Sequence, residues 1–190
     1  KPLRLLFPLL LLLPAICHPE VILPRQAVHD SSSVTYPVFT AIAAPEVQNK
    51  LNGDFAIIAG PYLQNLATGG CELDYTLTFV SEKFISMVFF GVLDEGEKEI
   101  FAKIPLNIDV QTGAQLALGD VLNLRDADLL PVLRLLTKKD KVDFSKGIPE
   151  SWYYNGTNFV FCQRSETGEW LEATVAASDL KKFLLKPELF

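Results

Sequence analysis

Three groups of residues in this chain have the types and spacing for chemistry. The first is the stretch "DEGEKE", where Asp94, Glu95, Glu97 and Glu99 stand close together with Lys98 as the lone cation. Two carboxylates flanking a glycosidic bond can act as acid and base. A run of them can also hold calcium, but the Asp-x-Asp-x-Asp-Gly spacing of a calcium loop is missing here. The simplest reading is a solvated, acidic surface loop that attracts a basic partner. The second group lies in "NIDVQTGAQLALGDVL", with Asp109 and Asp120 among apolar residues. Asp109 ends a predicted strand before a tight turn at Gly113, and Asp120 precedes "VLNL", where an aspartate caps a helical turn. Each therefore has a local backbone task, and neither is read as part of a site. The third group is aromatic: Trp152, Tyr153, Tyr154 and Trp170. Two readings stand side by side, a binding surface for sugars or proteins and the filling of a hairpin core.

Much catalytic chemistry has no material. The histidines are His18 and His29, both ahead of the predicted folded body. A Ser–His or Cys–His pair cannot be built without one there, nor can the His-containing zinc sets. There is no glycine-rich phosphate loop and no GxSxG. The reading is of a protein without cofactor or metal. The net charge of −6 disfavours a phosphate backbone as ligand, so nucleic acid is set aside.

The elements that would position these groups begin after residue 17. "KPLRLLFPLLLLLPAIC" carries Lys1 and Arg4 and then an apolar run over residues 5–16. That pattern reads as a signal peptide or anchor, since the roughly 20 residues of a comfortable membrane span are not reached. Peptidase cleavage near Cys17, lipidation of Cys17 and an uncleaved anchor are the open alternatives. Each places the body outside the cytoplasm, periplasmic or at the outer surface, touching membrane only through this segment. Cys71 and Cys162 then form an even pair in an oxidising space, either disulfide-linked or two buried thiols.

Residues 18–33 read as a polar tether. "VTYPVF" (34–39) predicts a strand, at an edge because of Pro37. A helix starts at Pro45 with Val47, Leu51, Phe55, Ile58 and Tyr62 on one face, and Gly60-Pro61 should kink or break it. "CELDYTLTFV" alternates as a half-buried strand, and "KFISMVFFGVL" is apolar on both faces, as a central strand is. "IFAKIPLNIDV" and "QLAL" predict two more strands. "DADLLPVLRLLTKKD" predicts a helix burying Leu129, Val132, Leu133 and Leu136. "SWYYNGTNFVFCQR" predicts a hairpin turning at Asn155-Gly156, "GEWLEATVAA" a strand, and "SDLKKFLL" a short helix capped by Ser178 with Leu180, Phe183 and Leu184 inward. The sum is an α+β protein: antiparallel sheets with a few amphipathic helices packed on one side. The expected division is 34–123 and 124–190, two α+β subdomains.

This order of motifs resembles the paired domains of unknown function in bacterial lysozyme-sensing anti-sigma-V factors. The same pair occurs as accessory domains of some peptidoglycan deacetylases and in stand-alone envelope lipoproteins. The resemblance rests on "YP" before a helix with an "IN"-like pair (Leu51-Asn52), on "NIDVQTGAQLALGDVL", and on the closing "LKKFL", and it spans residues 34–185. Members often carry a Gly-Gly-Ala-His-like loop after the central strand, whereas this chain has the acidic "GVLDEGEKEIF". The resemblance implies a non-catalytic, envelope-facing binding module for a basic, lysozyme-like protein or a peptidoglycan fragment. The alternatives are a glycan-processing hydrolase working through carboxylates and a structural envelope lipoprotein.

Overall fold

The computed structural model describes residues 22–41, 44–94, 96 and 99–190. The strands are β1 (Ile22–His29), β2 (Ser32–Phe39), β3 (Cys71–Val80), β4 (Phe84–Asp94), β5 (Glu99–Asp109), β6 (Ala114–Gln115), β7 (Ser151–Tyr154), β8 (Asn158–Arg164) and β9 (Trp170–Ala176). The helices are α1 (Pro45–Asn65), α2 (Leu118–Val121) and α3 (Leu129–Leu136), joined by short 3-10 turns. The fold class is α+β.

Strands β1 to β6 form one sheet in sequence order, and β7 to β9 form a second. Every pairing is antiparallel except β2 with β3, which run parallel through Ser33 opposite Glu72 and Val34 opposite Leu73. A parallel joint needs a long crossover, and α1 supplies it.

Strand β4 organises both cores, because both of its faces are apolar. Ile85, Met87 and Phe89 point to the α1 side and pack with Leu51, Phe55, Ala59 and Tyr62. Phe84 points the other way, into a cluster with Leu118, Leu133, Trp152, Tyr154, Phe159, Phe161 and Phe183. Each fully buried side chain of this size contributes roughly 1.5–3 kcal/mol. The second cluster draws on both halves of the chain, since Phe84, Leu116, Val121 and Leu122 share it with residues beyond Leu129.

A buried polar link joins the two sheets. The Ser86 hydroxyl donates to Asn107 Oδ1 at 2.8 Å and accepts from the Tyr154 N–H at 2.8 Å. Asn107 Nδ2 donates to the Trp152 carbonyl at 2.7 Å. Ser86 and Asn107 stand opposite each other on β4 and β5, so the six-stranded sheet holds β7 through its main chain.

Several expectations are corrected. From Ile22 onward the tether is strand β1, paired along its length with β2. Its side chains are mostly exposed and Ile22 alone is buried; main-chain pairing holds it, which side-chain pattern does not reveal. Pro24 stands opposite Pro37, which an antiparallel ladder tolerates where opposed residues exchange no hydrogen bonds. Strand β2 is not a simple edge. Beyond Val34 it leaves β3, and the Asn52 carboxamide of α1 takes the place of a neighbouring strand, accepting from Phe39 N at 2.7 Å and donating to Phe39 O at 3.0 Å. Helix α1 continues through Pro61 to Asn65. Pro61 is exposed while Tyr62 is buried over Gly91, where a Cβ would lie 2.1 Å from the Tyr62 hydroxyl. In α3, Leu136 is exposed and Thr137 is buried instead, its hydroxyl donating to the Leu133 carbonyl at 2.7 Å. Ser178 caps nothing: Ala177–Phe183 is a 3-10 turn with no side-chain cap, although Leu180 and Phe183 are buried as expected.

The "NIDVQTGAQLALGDVL" stretch is structural. Asp109 Oδ1 accepts from Gln111 N at 2.9 Å and Thr112 N at 3.2 Å, and Gly113 adopts φ 65° in the turn. The return strand is cut to β6. Asp120 lies inside α2 rather than before a later turn, and its Oδ2 reaches back to the Ala117 N–H at 2.8 Å.

Candidate functional site: an open aromatic groove

Cross-strand register builds the site. On the sheet face away from α1, Asp74, Phe90 and Lys103 stand in one row across β3, β4 and β5, and Glu72, Val92 and Phe101 in the next. The three-stranded sheet covers this face over Phe84 and Ser86 and reaches Lys103 through Tyr153 and Glu172, but leaves Phe90 and Phe101 partly open. Phe90 is 45% exposed and Phe101 52%. Trp170, the first residue of β9, forms the far wall. The result is a groove of about 400 Å³ lined by Glu72, Asp74, Phe90, Phe101, Lys103 and Trp170. A shallower hollow continues past Phe101 and Trp170 toward Gly168.

Lys103 anchors one end. Its side chain is largely buried, pairs with Glu172, and sets its ammonium 5.6 Å from the Phe90 ring centre and 5.5 Å from that of Tyr153. Glu172 also accepts the Tyr153 hydroxyl at 3.0 Å and faces Cys162 Sγ at 3.9 Å. Burial, and then the Glu172 carboxylate, push the Tyr153 hydroxyl well above its ordinary value. Burial raises the Cys162 thiol to about 12; Lys103 opposes that shift and Glu172 adds to it. At neutral pH both groups are protonated. The Trp170 indole Nε1 is buried without a hydrogen-bond partner.

The predicted site residues are dispersed. Trp152 and Tyr154 are not surface residues: they are buried, Trp152 stacked on Phe159 with ring centres 5.4 Å apart and Tyr154 edge-on to Phe79 at 5.0 Å. The period of two along β7 turns Tyr153 to the opposite side, where it meets Lys103 and Glu172, while Trp170 lines the groove. Asp94 and Glu99 face each other at the mouth of the β4–β5 hairpin, and Asp94 Oδ1 accepts from Gly96 N at 2.8 Å. Glu95, Glu97 and Cys17 lie outside the described residues. Cys71 and Cys162 are free, buried thiols, which overturns the disulfide. Cys71 opens β3 beside the Tyr62 carbonyl, whereas Cys162 lies in the other sheet between Ser151 and Glu172. Sequence reasoning missed Glu72, Asp74, Phe90, Phe101 and Lys103. The available signal was the polar outward face of β3, which must lie beside the outward phenylalanines of its neighbours.

Two other places carry less. A hollow of about 280 Å³ lies between α1 and β5–β6, lined by Leu51, Phe55, Ile58, Leu106 and Ile108. Lys50 at its rim is already engaged with Asp54 at 2.7 Å and the Gly113 carbonyl at 2.8 Å. Among the described residues, no three of His, Cys, Asp and Glu converge to hold a metal ion, and no helix is long and apolar enough to cross a membrane.

Two solved structures share this architecture. A member of the DUF3298 family from Bacteroides fragilis NCTC 9343 superposes with TM-score 0.59 at 13% identity, over 86% of this chain and 91% of that one. A DUF3298 family protein from Pseudomonas aeruginosa PAO1 gives TM-score 0.58 at 12% identity, over 88% and 94%. At such identity the likeness is one of fold. No family model matches the chain, and no curated protein does.

Proposed function

We propose that this chain is a non-catalytic, exported binding module of the cell envelope, and that the groove is its contact surface. The ligand is a basic, lysozyme-like protein or a peptidoglycan fragment. One observation carries the reading: half-exposed Phe90 and Phe101 lie beside Glu72 and Asp74 on a sheet face that its neighbour leaves partly open. Apolar anchors ringed by polar groups are the usual make-up of a binding surface. The motif resemblance to lysozyme-sensing anti-sigma-V factors supports the same role. Export follows from the reading of the first 17 residues, with Cys17 as the candidate for a lipid anchor.

Titration calorimetry of the mature body against hen-type lysozyme and against chitotriose tests the proposal. One of the two ligands is expected to bind, with affinity reduced at least tenfold in Phe90→Ala and Phe101→Ala proteins that melt normally. Silence from both at high micromolar concentration refutes it. Release of reducing ends from peptidoglycan by the purified body replaces it with the hydrolase reading.

A further inference from the structure

Resting on that binding reading, we infer that the groove takes a cationic side chain, an arginine of a basic polypeptide, stacked on its rings and held by Glu72 and Asp74. Charge complementarity selects this occupant. Among the described residues neither Glu72 nor Asp74 has an ion-pair partner. The groove's own cation, Lys103, is taken by Glu172 and turned onto Phe90 and Tyr153. Asp74 Oδ1 accepts from the Tyr75 N–H at 2.8 Å, but no cation answers either carboxylate, while aromatic rings, whose faces attract cations, line the walls.

Shape points to a guanidinium. Glu72 and Asp74 are two residues apart on one strand, so their side chains leave the same face roughly 7 Å apart. A planar guanidinium stacks on a ring while its edge donates to a carboxylate, which a compact ammonium does less well. Phe90 already holds one cation, 5.6 Å from its centre, so this surface tolerates positive charge against its rings. A neutral sugar would stack there but leave both charges unanswered.

The test uses the mature body labelled with nitrogen-15. The indole N–H of Trp170 is the probe, assigned by its loss in Trp170→Phe. An acetylated, amidated peptide with two arginines is titrated against the same peptide carrying citrulline, which keeps the shape and removes the charge. Chitotriose is the third arm. The expected result is a saturable shift of the Trp170 resonance with the arginine peptide, at least tenfold weaker with citrulline and weaker in salt. Glu72→Gln with Asp74→Asn is expected to lower the arginine affinity at least tenfold without changing the melting curve. Equal binding of citrulline, an unchanged affinity in the double amide variant, or no shift at about 20 mM peptide each overturns the inference. A shift with chitotriose and none with arginine overturns it too, yet leaves the binding-module reading standing. A shift with arginine and no lysozyme binding upholds it and removes only that partner.

Discussion

Asn107 is expected to be the most costly polar residue to remove, because one side chain serves both sheets. It is 3% exposed. Asn107→Ala deletes the bond from the Ser86 hydroxyl at 2.8 Å and the bond to the Trp152 carbonyl at 2.7 Å. Two buried bonds are worth roughly 1–3 kcal/mol net, and the carbonyl left without a donor adds about 1–3 more. Ser86 keeps the Tyr154 N–H, which limits the loss, so the expected destabilisation is about 2–4 kcal/mol. Asn107→Asp should cost at least as much, because an oxygen then faces the Trp152 carbonyl. Urea unfolding followed by tryptophan fluorescence gives the number, with Trp152 reporting from the junction itself. In a double-mutant cycle with Ser86→Ala the losses should fall short of additive, since the second change removes a bond already gone. A loss under about 1 kcal/mol, or additivity within about 0.5 kcal/mol, would refute the view that this network joins the sheets.

Gly91→Ala should destabilise by about 1–3 kcal/mol through overpacking, since its Cβ meets the Tyr62 ring. Pairing it with Tyr62→Leu should recover part of that loss in the same denaturation assay. Asp120→Ala removes the acceptor for the Ala117 N–H and is expected to cost about 0.5–2 kcal/mol, with binding by the folded protein intact; lost binding at an unchanged melting curve would instead make Asp120 a site residue. Stability should also fall in alkali. The Cys162 thiol is raised from 9.0 to about 12 in the folded state, so its contribution is complete below pH 9 and is lost as the pH climbs toward 12. Tyr153, Tyr154, Tyr62 and Tyr75, all raised by burial, act in the same direction. Melting temperatures measured between pH 8 and 11 should decline, less steeply in Cys162→Ala, and a flat profile contradicts the burial argument. Native alkylation at pH 8 should leave both Cys71 and Cys162 unlabelled.

What the sequence made legible follows how local each cause is. The alternation of Leu73 with Asp74 and the unbroken apolar run of β4 are properties of single strands, and both appear as read. The Asp109 turn is equally local. Strand β1 was hidden because its stability comes from main-chain pairing, which polar side chains do not betray. Helix α1 is not broken at Pro61, because packing of Tyr62 over a glycine outweighs one lost helical bond. Period two separates Tyr153 from Trp152 and Tyr154, but the side that is buried is decided by a sheet distant in sequence. Cys71 and Cys162 are likewise separated by topology alone. The groove needs the mutual register of β3, β4 and β5 and the position of β9, and no stretch of the chain carries that by itself.

The two-sided burial of β4 has a consequence for how errors are excluded during folding. A strand with one buried face that slips by one residue misplaces one set of side chains. A slip of β4 would carry Ser86 into the layer under α1 and set Ile85 against the Tyr154 N–H and the Asn107 carboxamide oxygen that Ser86 serves, so both cores would reject it at once. The strand thus acts as a shared ruler, checked from either side, and neither core can settle into a wrong register while the other is right. Loss of one core should therefore unsettle the other, and unfolding is expected to be a single cooperative event rather than two.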